Sequence, residues 1–97
     1  MSNMKTTVAN VYSKVPGIYI GRKGKGQDGY FGNPFRAKDE SQREEVIALY
    51  RKYFYKRIAE DDEFYNRIVA LSGSVLLCFC APKKCHGNVI ANYLNQE

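Results

Sequence analysis

Apolar positions change their period along the chain, and the changes mark its elements. Val8 to Tyr12 is rich in strand formers and is broken at Val15-Pro16-Gly17, which predicts a strand followed by a turn. Ile18-Tyr19-Ile20, bounded by Gly17 and Gly21, predicts a second short strand. No apolar period survives from Gly21 to Lys38, where glycine recurs at 21, 24, 26, 29 and 32. This stretch of about 18 residues is expected to be a loop, and loops of that length in small domains usually carry function. Helical spacing begins with Val46, Ile47, Tyr50, Phe54 and Ile58. Ser41-Gln-Arg-Glu44 fits a capping box in front of it, with Arg43, Glu45, Arg51, Lys52 and Lys56 facing outward. Asp61 or Asp62 can cap a second helix that carries Phe64, Ile68 and Leu71 on one face, and Ser72-Gly73 ends it. Val75 to Cys80 is a continuous apolar run, the pattern of a central strand buried on both faces. Val89, Ile90, Tyr93 and Leu94 predict a closing helix.

The order strand, strand, loop, helix, helix, strand, helix implies an α/β or α+β fold. About three to four strands would pack with about three helices, and no internal repeat is visible. Ninety-seven residues suit a single domain with its core between about 8 and 95, since two cores would each be too small to bury. Val75 to Ala81 is the longest apolar run, far short of a membrane span, and no apolar block follows the first residues. Membrane insertion and secretion are therefore disfavoured. Three cysteines within positions 78 to 85 are too few and too local for a secreted disulfide scaffold and suggest a reducing cytoplasm.

Charge is unevenly placed. Residues 1–38 hold Lys5, Lys14, Arg22, Lys23, Lys25, Arg36 and Lys38 against Asp28 alone, a net +6, while residues 39–97 sum to −1. A local positive field implies an anionic partner, although a solvated loop would carry the same lysines.

Candidate chemistry gathers at two places. The first is the passage from the apolar strand into the last helix, near residues 75–94, a strand-turn-helix of the kind that places helix amides beyond the carboxyl end of a sheet. Lys83 and Lys84 add charge there, Gly87 lets a ligand approach the backbone, and Cys80 and Asn88 flank the turn. Cys85 and His86 fall in the first helical turn and are the candidate catalytic pair, a thiol with its thiolate favoured and an imidazole able to carry a proton. The same side chains admit other uses. Cys78, Cys80, Cys85 and His86 have zinc-ligand chemistry but no C-x-x-C knuckle, and Cys78 and Cys80 also suit small core positions.

The second place is Gly21-Arg22 with Gly32-Asn33-Pro34-Phe35. Arginine offers a fork for phosphate, asparagine offers donors and an acceptor, and Tyr30, Phe31 and Phe35 could stack a base. A turn pinned by Pro34 with Phe35 packed inward is the plainer alternative. No P-loop pattern occurs. In the first helix, Tyr50 and Phe54 are expected in the core rather than on a stacking platform, and Glu60 to Glu63 form a solvated cap.

Val11-Tyr12, Tyr19-Ile20-Gly21-Arg22, Gly32-Asn33-Pro34-Phe35, Arg43 to Ile47 with Tyr50, and Leu77-Cys78-Phe79-Cys80-Ala81-Pro82 with Cys85-His86-Gly87 together resemble the domain-of-unknown-function family numbered 4326. The resemblance runs from about Val8 to Leu94 and implies a small cytoplasmic protein of phage or bacterial type, without an activity to carry over. Phe31 and Phe79 stand where family members often have tryptophan, and Asn88 where they often have aspartate, which weakens any general-base role at 88.

The leading expectation is a pocket for a nucleotide or another phosphorylated small ligand between the 21–35 loop and the 80–88 turn. If the protein is an enzyme, hydrolysis or transfer on that ligand through His86 or Cys85 is the expected class. Alternatives are an interaction protein whose basic loop holds nucleic acid or an acidic host protein, and a zinc-stabilised module. No cofactor is expected outside that last alternative, and a thin core leaves room for a homodimer.

Overall fold

A computed structural model of the chain describes residues 5–21, 29–35, 38–79, 83 and 85–96. Strand β1 (Thr7–Asn10) runs into a 3-10 turn at Val11–Ser13 and is followed by β2 (Ile18–Tyr19). A second 3-10 turn, Glu40–Gln42, leads into helices α1 (Arg43–Glu60) and α2 (Asp62–Val69), then strand β3 (Val75–Cys78) and helix α3 (His86–Asn95). The element order matches the sequence pattern, and the fold is a small α/β fold. The Gly21–Lys38 loop lies partly outside the described residues.

Both pairings in the sheet are parallel, in the order β1-β3-β2, with Val8 beside Leu76, Asn10 beside Cys78 and Tyr19 beside Leu77. Ile20 extends the β2 pairing by donating its N–H to Leu77 O at 3.0 Å. Alternation along β3 then decides what is buried. Leu76 and Cys78 point into a core built with Ile20, Tyr50, Phe54, Phe64, Ile68, Leu71, Val89 and Ile90. Val75 and Leu77 point the other way and are only half buried, and Phe79 is exposed. The expectation of a strand buried on both faces is thus corrected: the helices cover one face.

The reason lies in the β1-to-β2 connection. Both strands run the same way on either side of β3, so residues 11–17 must return across the sheet. They do so over the face away from the helices. A Cβ on Gly17 would meet Val75 O at 2.5 Å and Leu77 Cγ at 3.0 Å, and the Tyr12 ring lies 5.7 Å from that of Phe79. Parallel connections ordinarily use a helix, which covers the face it crosses. Seven residues in a 3-10 turn and extended chain cover much less.

Helix starts follow local chemistry. Asp61 accepts from the Phe64 N–H at 3.1 Å and caps α2 as expected. The start of α1 differs from the expected Ser41 capping box. Asp39, two residues earlier, accepts the Ser41 N–H at 2.9 Å and also its hydroxyl, which winds Glu40–Gln42 into a 3-10 turn. α1 begins only at Arg43. Thr6 and Asn95 tie the two ends of the described chain together. The Asn95 carboxamide bonds both the N–H and the carbonyl of Thr6, each at 2.9 Å, and the Thr6 hydroxyl accepts from Gly73 N–H.

Candidate functional site

Three segments meet at the carboxyl edge of the sheet: the end of β2 at Ile20-Gly21, the 29–35 segment, and the first turn of α3. His86 joins two of them. Its Nε2 lies 2.7 Å from Ile20 O, and because a carbonyl can only accept, Nε2 is the donor. This hydrogen bond fixes the neutral imidazole as the Nε2–H tautomer. The ring is buried, 9% exposed, and lies edge-on to Tyr50 at 5.1 Å. Tyr50 joins the third segment, with its hydroxyl 3.3 Å from the Phe31 carbonyl to which it donates. Burial holds the Tyr50 phenol above its ordinary value of 10, with Tyr53 adding to the effect. Tyr50 is therefore a neutral donor at any physiological pH.

The role of Tyr50 as a link was not visible in the sequence, where helical spacing marks it only as core. It is core as well, being fully buried with Phe54.

Cys85 is the N-cap of α3 and is 3% exposed, with its Sγ 3.0 Å from Cys78 Sγ. Its N–H donates to Asn88 Oδ1 at 2.8 Å, so the Asn88 carboxamide oxygen caps the helix. Gly87 is buried because α3 sits tightly on the sheet. A Cβ there would come within 2.7 Å of Ile20 Cδ1 and 3.4 Å of Val8 Cγ1, so its bare backbone faces protein rather than an incoming ligand. Gly21 is similar, since a Cβ would strike the Tyr19 hydroxyl.

Asn33 is buried and its Oδ1 accepts the Phe35 N–H at 2.8 Å, an Asx turn with Pro34 at its centre. Gly32 closes the preceding turn by donating its N–H to Gly29 O at 2.9 Å. Phe35 packs edge-on against Tyr53 at 6.1 Å. Tyr30 also faces protein: the Arg57 and Arg67 guanidinium carbons stand 4.9 and 4.1 Å from its ring centre. These rings are engaged by the fold where the sequence suggested base stacking.

Lys83 is exposed and reaches Glu40 Oε1 at 3.7 Å, linking the α3 turn to the α1 entry. Glu40 also accepts from Arg43 at 2.8 Å. That hydrogen bond, aided by the charges of Arg43 and Lys83, draws the Glu40 carboxyl down to about 2. Arg22, Cys80 and Lys84 lie outside the described residues. Among the described residues no three His, Cys, Asp or Glu side chains gather as a metal site. Of the four zinc candidates, Cys78 and Cys85 are adjacent, whereas His86 points its Nε2 at a backbone carbonyl.

Among the described residues no helix is long and apolar enough to cross a membrane. A protein of Enterobacteria phage T4, "Uncharacterized 12.4 kDa protein in nrdA-td intergenic region", is 37% identical over 68 residues, which is 70% of this chain. The chain matches 63% of the length of that relative. No solved structure matches the chain. The family model described as Domain of unknown function (DUF4326) matches residues 3–96, nearly the whole sequence, and the chain belongs to that family.

Proposed function

We propose that this protein binds a nucleotide or another phosphorylated small ligand at the carboxyl edge of its sheet, in the host cytoplasm. The observation that carries the reading is the convergence of the β2 end, the Asn33 turn and the start of α3, held together by His86 and Tyr50. A ten-residue helix begins at that edge, so the positive end of its dipole lies there. Arg22 directly follows Gly21, and Lys84 directly precedes Cys85, so cationic residues adjoin both chain segments in sequence. A mobile anion would be recognised by amides and cations together.

Burial of Cys85 and its contact with Cys78 favour binding without covalent chemistry. Any turnover would be hydrolysis or transfer on the ligand with His86 moving a proton. Isothermal titration with ATP, GTP and the deoxynucleoside triphosphates tests the reading. One of them is expected to bind, and Arg22→Ala to weaken it at least about tenfold, with Arg51→Ala, at an exposed position of α1, unchanged. Absence of binding by all of them, or an Arg22→Ala protein with full affinity, would overturn it.

A further inference from the structure

The sheet face away from the helices carries a row of three aromatic rings, of which the fold leaves Tyr12 and Phe79 exposed and Tyr19 half-buried. Tyr12 is 74% exposed and Phe79 53%, and Tyr19 stands 5.9 Å from Phe79 on its other side. Tyr12 is held rather than loose. Asn10 Oδ1 accepts the Tyr12 N–H at 2.9 Å, Asn10 Nδ2 donates to Phe79 O at 3.2 Å, and the Ser13 hydroxyl donates to Asn10 O at 2.7 Å. The 3-10 turn is thereby fastened to the end of β3, with Lys14 closing it in the left-handed region at φ 63°. Val15, also exposed, extends the apolar surface along the crossover.

Charge identifies what such a face suits. No acidic residue occurs in 7–21 or 75–79, the segments that build this side. Lys14 is the one charged residue of those segments, and the protein as a whole carries +5. Exposed rings on the sheet of a basic protein, with one cation and no carboxylate in the segments that build the face, match the requirements of unpaired bases on a phosphate backbone. Each base stacks through a face that every base possesses, and the cations follow the phosphates. A duplex hides those faces and fits less well. A second copy of the chain would bring +5 against +5, so its approach is opposed by charge.

We infer that the Tyr12–Phe79–Tyr19 face binds single-stranded nucleic acid, with bases stacked on Tyr12 and Phe79. The surface lies on the opposite side of the sheet from α3 and is separate from the ligand site proposed above.

Fluorescence anisotropy with a labelled oligothymidylate of about twelve nucleotides, and with a duplex of the same length, provides the test. Single-stranded DNA is expected to bind more tightly than duplex. Tyr12→Ala and Phe79→Ala should each weaken binding roughly tenfold, Tyr12→Phe should retain it, and Tyr65→Ala, an exposed ring on α2, should leave it unchanged. Both alanine substitutions are at exposed positions, and circular dichroism melts within a few degrees of the parent confirm that folding is intact. Three results would overturn the inference. They are no binding at about 0.15 M salt, binding to both DNAs that the ring substitutions do not alter, and a dimer in sedimentation that those substitutions dissolve. The last would make a second copy the occupant.

Discussion

The two faces of the sheet are made from alternate residues of the same short strands, yet they have opposite fates. On one, Leu76, Cys78 and Ile20 disappear beneath three helices. On the other, Val75, Leu77 and Phe79 lie under a seven-residue crossover that leaves rings in solvent. The strand residues are equally apolar on both sides. What separates the faces is the connection that crosses each one. Two helices link β2 to β3, whereas only a 3-10 turn and extended chain link β1 to β2. Stability should therefore be concentrated on the helical side, and substitutions there should cost far more than those of similar size opposite.

The sharpest form of that comparison pairs two phenylalanines. Phe54 is fully buried, with Tyr50, Tyr55, Phe64 and Tyr93 around its ring at 5.4 to 6.0 Å. Phe54→Ala should lose about 3–5 kcal/mol in urea unfolding, a large part of the stability of so small a fold. Phe79→Ala should lose less than about 1 kcal/mol. Equal losses would mean that the open face is packed as tightly as the covered one.

Gly17 tests whether the crossover is fastened to the sheet or merely passes over it. A Cβ at this position would press on the Val75 carbonyl, a backbone atom that cannot rotate aside. Gly17→Ala should therefore cost about 1–3 kcal/mol by thermal or urea unfolding. At Gly87, on the helical side, the nearest obstacle is the end of the Ile20 side chain, and Gly87→Ala should cost less. The reverse ranking would show a loosely held crossover.

Much of the helical face was legible in the sequence. Val46, Tyr50, Phe54, Phe64, Ile68, Val89 and Ile90 announce their burial through spacing alone, because one stripe of a helix must face the core. The open face was not legible. A run such as Val75 to Cys80 looks the same whether one or both sides are covered, and only the path of residues 11–17 decides it. The candidate site was read in part. Cys85, His86, Asn33 and Gly87 do fall near one edge of the sheet, but the individual bonds depend on long-range placement. Nothing local in the sequence says that His86 meets Ile20 O, that the Asn88 oxygen caps α3, or that Ile20 occupies the space beside Gly87. The composition of the Gly29–Phe35 segment suggested base-stacking rings, yet Arg57 and Arg67, far along the chain, enclose Tyr30 instead. The rings left exposed, Tyr12 and Phe79, sit in segments that read as ordinary strand.

Tyr50 sharpens the comparison within the covered side, since it is both core and link. Tyr50→Phe keeps the ring but removes the donor to Phe31 O, and should cost about 0.5–1.5 kcal/mol. It should also change the alkaline limb. The folded state raises the phenol above 10, so the parent's stability is intact below that pH and falls as pH rises past it, because the unfolded chain ionises first. Removing the phenol should flatten that decline in pH-dependent unfolding. A limb of unchanged slope would mean that the Tyr50 hydroxyl is not held in a buried setting.

The smallest expected effect lies where the α3 turn meets the α1 entry. Glu40 accepts from Arg43 and faces Lys83, and its carboxyl is drawn from 4.5 to about 2. A depressed carboxylate contributes stability above its unfolded value of 4.5, and this contribution is lost as pH falls toward 2, since the unfolded chain takes up the proton first. The pair is exposed and screened, so the contribution is small and should shrink further in high salt. Glu40→Gln should flatten the acid limb between pH 4.5 and about 2 while leaving stability at pH 7 almost unchanged. Lys83→Ala should reproduce only the lesser part of that change, because the Arg43 hydrogen bond is the principal cause. An acid limb that follows Lys83 more closely than Arg43 would place the α3 turn, rather than the first turn of α1, in control of this carboxylate.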